Sequence, residues 1–159
     1  MHSIFLYLWM MDKDKTIDHA LRATWQAVAK FYNEQALKHD STMAMAMALL
    51  YIDYENGTPS TSLGPSMGME ATSLSRILNN MEDKGLIYRE KNPEDGRSVF
   101  IKLTDFGKEK REISKNTVLQ FNNKIKEKIS KEKINHFFEV TDLINKLLSQ
   151  KEIIKAEIS

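Results

Sequence analysis

The chain contains no cysteine in its 159 residues. Disulfides, thiolate nucleophiles, cysteine-ligated zinc and thiol-based redox sensing are therefore excluded together, and a reducing compartment is compatible with the composition. Helix breakers are also scarce, with six glycines and three prolines, so long stretches can run as uninterrupted helix. Nor is there an excess of one charge. The 23 Lys and Arg residues nearly balance 22 Asp and Glu for a net +1, so only a local concentration of charge could argue for a nucleic-acid partner. The opening apolar run, Ile4 to Met11, is eight residues long, against the roughly 20 that a membrane span needs. No Lys or Arg precedes it, and Asp-Lys-Asp-Lys follows where a small-residue cleavage site would stand. It reads as an extension, with Met10 or Met11 as the expected natural start. The protein is expected in the cytoplasm, with no membrane partner.

Recognisable catalytic constellations are missing as well. The chain shows no paired carboxylates, Ser-His-Asp arrangement or phosphate-binding glycine loop. His2, His19, His39 and His136 lack ligand spacing, and the nine methionines read as helix-forming core before they read as a Cu(I) site. An enzyme, a metal and a cofactor are all unexpected.

What is present is helical periodicity. Ile17, Leu21, Val28 and Tyr32 recur at helical spacing between Thr16 and His39. Ser41 is the expected cap of a second helix in TMAMAMALLYIDYENG, apolar on nearly every side and expected to be buried as far as Asn56-Gly57. A short third helix follows, in which Gly64-Pro65 should end or kink the turn. Met67-Gly68-Met69 leads into a fourth helix from about Glu70 to Lys84, stopped by Gly85. Two helices joined by a Gly-containing turn suit a helix-turn-helix, although the same unit also packs with no DNA role.

The fourth helix carries the most information. Ala71, Leu74, Ile77, Leu78 and Met81 share one stripe and should face a core, leaving Thr72, Ser73, Ser75, Arg76, Asn79 and Asn80 outward. No carboxylate lies between Glu70 and Glu82, whereas a merely solvated face would more often mix Glu with Lys. Two short strands then flank Asn-Pro-Glu-Asp-Gly-Arg, where Asp95-Gly96 is a strong two-residue hairpin signal that puts Arg97 at its tip. From Lys84 to Arg111 eight basic residues stand against five acidic ones, a modest excess that fits phosphate contacts or an ordinary solvated face. Thr104 is expected to cap a fifth helix with Val118, Phe121, Ile125 and Ile129 as its buried stripe. Ser130 should cap a sixth with Ile134, Phe137, Phe138, Ile144 and Leu148 along one side.

The stretch LSRILNNMEDKGLIYREKNPEDGRSVFIKLTDFGKE, residues 74 to 109, resembles the winged-helix core of the MarR family of bacterial transcription regulators. The elements are Leu74-Ser75-Arg76, then Met81-x-x-x-Gly85-Leu86-Ile87 with methionine for the family's leucine, Asp95-x-Arg97, and Leu103-Thr104-x-x-Gly107. Helical order extends the likeness over roughly residues 16 to 149. The resemblance implies a mainly α fold with a small β-hairpin wing: a winged helix-turn-helix over residues 41–103 and a helical dimerisation region from 16–40 and 104–149. Residues 1–15 and 150–159 would be terminal extensions. It further implies a homodimer acting on a near-palindromic, double-stranded DNA operator, with repression the expected output and activation the alternative. Thr72, Ser73, Ser75, Arg76 and Asn80 would meet the major groove and Arg97 the minor groove, with Asp95 ordering the wing; Lys91 is a further candidate DNA-binding residue. A small aromatic or otherwise apolar effector would sit in a cleft for which Trp25, Tyr32, Met43 and Met47 are the candidates. Packed core is the competing reading of those four. The rival function is a winged-helix adaptor that docks a protein instead of DNA.

Overall fold

The computed structural model describes residues 16–92 and 99–150. Its elements in chain order are α1 (Ile17–Leu37), α2 (Met43–Tyr51), β1 (Thr58–Pro59), α3 (Ser60–Met67), α4 (Ala71–Asp83), β2 (Ile87–Lys91), β3 (Val99–Leu103), α5 (Asp105–Lys128) and α6 (Lys131–Ser149). The three strands form one antiparallel sheet in the order β1-β3-β2. Two compact units meet at Lys115 and Asn116, inside α5.

The core lies in the first unit, among α2, α3, α4 and the sheet. Leu49, Ile52, Leu63, Met81, Ile87 and Ile101 are fully buried there, joined by Met45, Leu74, Leu78, Leu86 and Leu103. Each such side chain contributes about 1.5–3 kcal/mol through removal from water. Leu74, Leu78 and Met81 hold α4 against this core, and Ile77 is half-buried beside them, so the apolar stripe fixes which face of the helix looks outward. Ala71, the first residue of that stripe, is exposed because it opens the helix beyond the reach of the core.

Backbone chemistry sets the ends of these elements. Gly68 (φ 63°) and Gly85 (φ 69°) close α3 and α4 in the left-handed region. In each case the next residue reaches back: Met69 N–H donates to Gly64 O at 2.9 Å, and Leu86 N–H to Met81 O at 2.9 Å. Pro65 does not stop α3, which ends two residues later at this glycine cap. The cap of α2 is Thr42, not Ser41, since the Thr42 hydroxyl accepts from Met45 N–H at 3.2 Å. That helix also stops earlier than Asn56-Gly57. Ile52 turns extended, and Thr58 Oγ1 accepts from Asp53 N–H at 2.9 Å, which secures the chain leaving the helix.

In the second unit, Ser130 caps α6 by accepting from Lys133 N–H. The stripes on α5 and α6 are present, but the single chain does not bury them: Ile125, Ile129, Phe137, Phe138 and Leu148 are all exposed. Helical periodicity identifies a face that needs covering without saying which chain covers it.

Candidate nucleic-acid interface

The outward face of α4 is the feature around which the other polar groups of the winged helix are arranged. Thr72, Ser73, Ser75, Arg76, Asn79 and Asn80 are all exposed on it. A shallow open groove runs along it, lined by Ala71, Thr72, Ser75, Arg76 and Asn79. The structure thus places Thr72, Ser75 and Arg76 on one line with Asn79. Ser73 and Asn80 lie on the same outward face but outside the lining of the groove.

The turn after α4 is clamped from the start of α5. Thr104 N–H donates to Leu86 O at 3.1 Å, and Thr104 Oγ1 donates to Gly85 O at 2.6 Å while accepting from Gly107 N–H at 3.0 Å. The Leu-Thr-x-x-Gly motif is therefore a device for docking the α5 N-terminus on the turn that ends α4. Behind it, Lys84 Nζ donates to Asp40 Oδ2 at 2.7 Å and Asp40 O at 3.2 Å, fastening the same turn to the corner between α1 and α2. The Lys84 hydrogen bond and charge hold the Asp40 carboxyl below the usual carboxylate range.

The wing is joined to α4 by Arg89, which sequence reading does not single out. Its guanidinium donates to Glu82 Oε2 through one nitrogen and, through the other, to Asn79 Oδ1 at 2.7 Å. The partners stand seven and ten residues upstream, and no local motif signals either bond. Asn79 itself can be read from its spacing with Thr72 and Ser75 on the helix.

Strands β2 and β3 pair in register from Ile87↔Leu103 to Lys91↔Val99, and Lys91 is exposed at the outer end. Asp95 and Arg97 lie outside the described residues. Lys102 Nζ crosses to Glu90 Oε1 at 2.8 Å, and that hydrogen bond raises the Lys102 pKa. Lys108 and Arg111 sit over the Tyr54 ring, with Lys108 Nζ at 4.6 Å and the Arg111 guanidinium at 5.6 Å. Much of the local basic excess is thus engaged within the protein, with Lys84, Arg89, Lys102 and Arg111 each beside a carboxylate.

Of the four candidate effector residues, Trp25 is 55 % exposed on α1, while Tyr32, Met43 and Met47 are half-buried. Asn33 Oδ1 accepts from Met43 N–H at 3.0 Å, which brings the start of α2 to the Tyr32 end of α1. Burial pushes the Tyr32 phenol up from its ordinary pKa. Among the described residues no cluster of side chains suits a metal ion, and no helix is long and apolar enough to cross a membrane.

Residues 42–99 match the family model of the MarR family. The chain is 32% identical over 87 residues to the HTH-type transcriptional regulator SarZ of Staphylococcus haemolyticus, a match that covers 55% of this chain and only 59% of that relative. It is 28% identical over 137 residues to the SarZ of Staphylococcus saprophyticus, covering 80% of this chain and 94% of the relative. The fold is also that of MepR in the S. aureus MepR-DNA complex, with a TM-score of 0.74 at 20% identity over 85% of this chain and 98% of MepR.

Proposed function

From the match of residues 42–99 to the MarR family model, we propose that the chain is a MarR-family, homodimeric, sequence-specific DNA-binding regulator that represses transcription from a near-palindromic operator. The observation that carries the reading is the exposed face of α4, which bears no carboxylate from Ala71 to Met81, is held outward by Leu74, Leu78 and Met81, and is followed directly by the antiparallel β2–β3 pair. Such a face offers hydroxyls, amides and one guanidinium to base edges and phosphates without an acid to repel them.

In this reading Thr72, Ser73, Ser75, Arg76 and Asn80 contact the major groove, Lys91 the backbone and Arg97 the minor groove, with Asp95 ordering the wing. Residues 41–103 form the reading module and residues 16–40 with 104–149 the dimerisation body. The exposed apolar side chains of α6 supply the surface that a second copy would cover. Two-fold symmetry would set the recognition helices about one DNA turn, roughly 34 Å, apart. An apolar effector bound near Trp25, Tyr32, Met43 and Met47 would release the DNA.

Alanine substitution separates the roles. Arg76→Ala should cost about tenfold or more in operator affinity and relax selectivity at one position. Arg97→Ala should weaken binding strongly with the dimer intact. Unchanged affinity in both variants would refute the reading and favour a protein-docking adaptor, whose partner binding would lack the salt dependence of phosphate contacts.

A further inference from the structure

Asn79 lines the groove on α4 beside Thr72, Ser75 and Arg76, and its side chain is already committed at one end. Arginine is a donor at every nitrogen and has no acceptor, so the Asn79 atom 2.7 Å from the Arg89 guanidinium must be the amide oxygen. The orientation of the amide follows from chemistry: Oδ1 points at the wing strand and the two Nδ2 hydrogens are left for another partner. Glu82 holds the other guanidinium nitrogen, and the Arg89 side chain is about one-third exposed, so the clamp is itself held in place.

An unconstrained asparagine reads adenine with both ends of its amide, accepting from N6–H and donating to N7. Here one lone pair of Oδ1 is already taken by an Arg89 N–H, so an adenine amino group would have to share that oxygen with a cationic donor that opposes it. A guanine edge, which carries the acceptors N7 and O6, meets only the Nδ2 donor and has no such conflict. Resting on the proposed DNA-reading role of α4, we propose that Asn79 is a specificity-determining residue that selects a guanine edge in each half-site, and that Arg89 is the positioning residue that prevents it from reading adenine.

The test is selection of binding sites from a randomised duplex pool by the full chain and by the Asn79→Ala and Arg89→Met variants. The wild-type pool should hold guanine at the position where Asn79→Ala, and only there, loses about tenfold discrimination. Arg89→Met, which keeps the stem but not the donors, should raise adenine at that position. Adenine in the wild-type pool, a uniform affinity loss across all sequences in Asn79→Ala, or an unchanged preference in a folded Arg89→Met would each overturn the proposal. Should Arg89→Met fail to fold, the Asn79→Ala pool decides alone. A wild-type pool without any consensus would instead remove the DNA-reading role itself, and this inference with it.

Discussion

Gly107 lies directly against the carbonyl of Leu86: a β-carbon on Gly107 would fall 1.8 Å from Leu86 O. The α5 N-terminus can dock on the turn after α4 only because that side chain is absent. Gly107→Ala should therefore destabilise the protein by about 3 kcal/mol, within the range for overpacking against an unyielding neighbour. For a chain of this size that is a fall in Tm of about 6–12 °C. Gly68→Ala is the control. Nothing lies within 4 Å of a β-carbon there, and only the positive φ of 63° is penalised, at about 1–2 kcal/mol. Thermal melts that rank the two variants in the opposite order would contradict the docking described for Gly107.

Thr104 is the polar half of the same contact. Thr104→Val keeps the shape but removes the oxygen that accepts from Gly107 N–H and donates to Gly85 O. The expected loss is about 1–2 kcal/mol in urea unfolding, with Thr104→Ser recovering most of it.

Asp40 gives a pH dependence of known sign. Lys84 holds its carboxyl below the ordinary carboxylate range, so the folded state favours the ionised form. That contribution is complete above the pKa of an unfolded aspartate, about 3.9. It is lost as pH falls through the lower folded value. Melts of wild type and Asp40→Asn should differ near neutral pH and converge in acid. Asn is a fair probe because it tolerates the φ of 52° at this corner. A difference that widens below pH 4 would contradict the assignment.

How much of this was legible in the sequence depends on the distance over which each interaction acts. The stripe Leu74, Ile77, Leu78 and Met81, the glycine stop at Gly85 and the strand pair on either side of Asp95-Gly96 are local patterns, and all three are found where the spacing puts them. Strand β1 left no such signal, because two residues ending in Pro59 do not read as a strand. Proline is tolerated there only because β1 is an edge, with Thr58 opposite Ile101. The bond from Arg89 to Asn79 joins separate elements, and no periodicity encodes it. Periodicity predicts a buried stripe on α5 and an apolar side on α6, yet Ile125 and Ile129 are exposed and Phe137 and Phe138 are more than half exposed in the single chain, because spacing marks an apolar face without saying which chain covers it.

Those faces give an assembly prediction. The chain should sediment at about twice 18.4 kDa, and Phe138→Glu combined with Leu148→Glu should return it to a monomer that retains its helical circular dichroism. The monomer should bind a full operator at least tenfold more weakly, since it forfeits one half-site. A double variant that stays dimeric would place the interface elsewhere.

The central claim is that α4 and the wing read DNA. Its most direct test is titration of the purified chain against fragments of the DNA upstream of its own coding sequence, at two salt concentrations beside an unrelated duplex. The account predicts selective binding to at least one fragment, weakening as salt rises because phosphate contacts release counterions. Binding that is absent from every fragment, or equal on all duplexes and indifferent to salt, would contradict it.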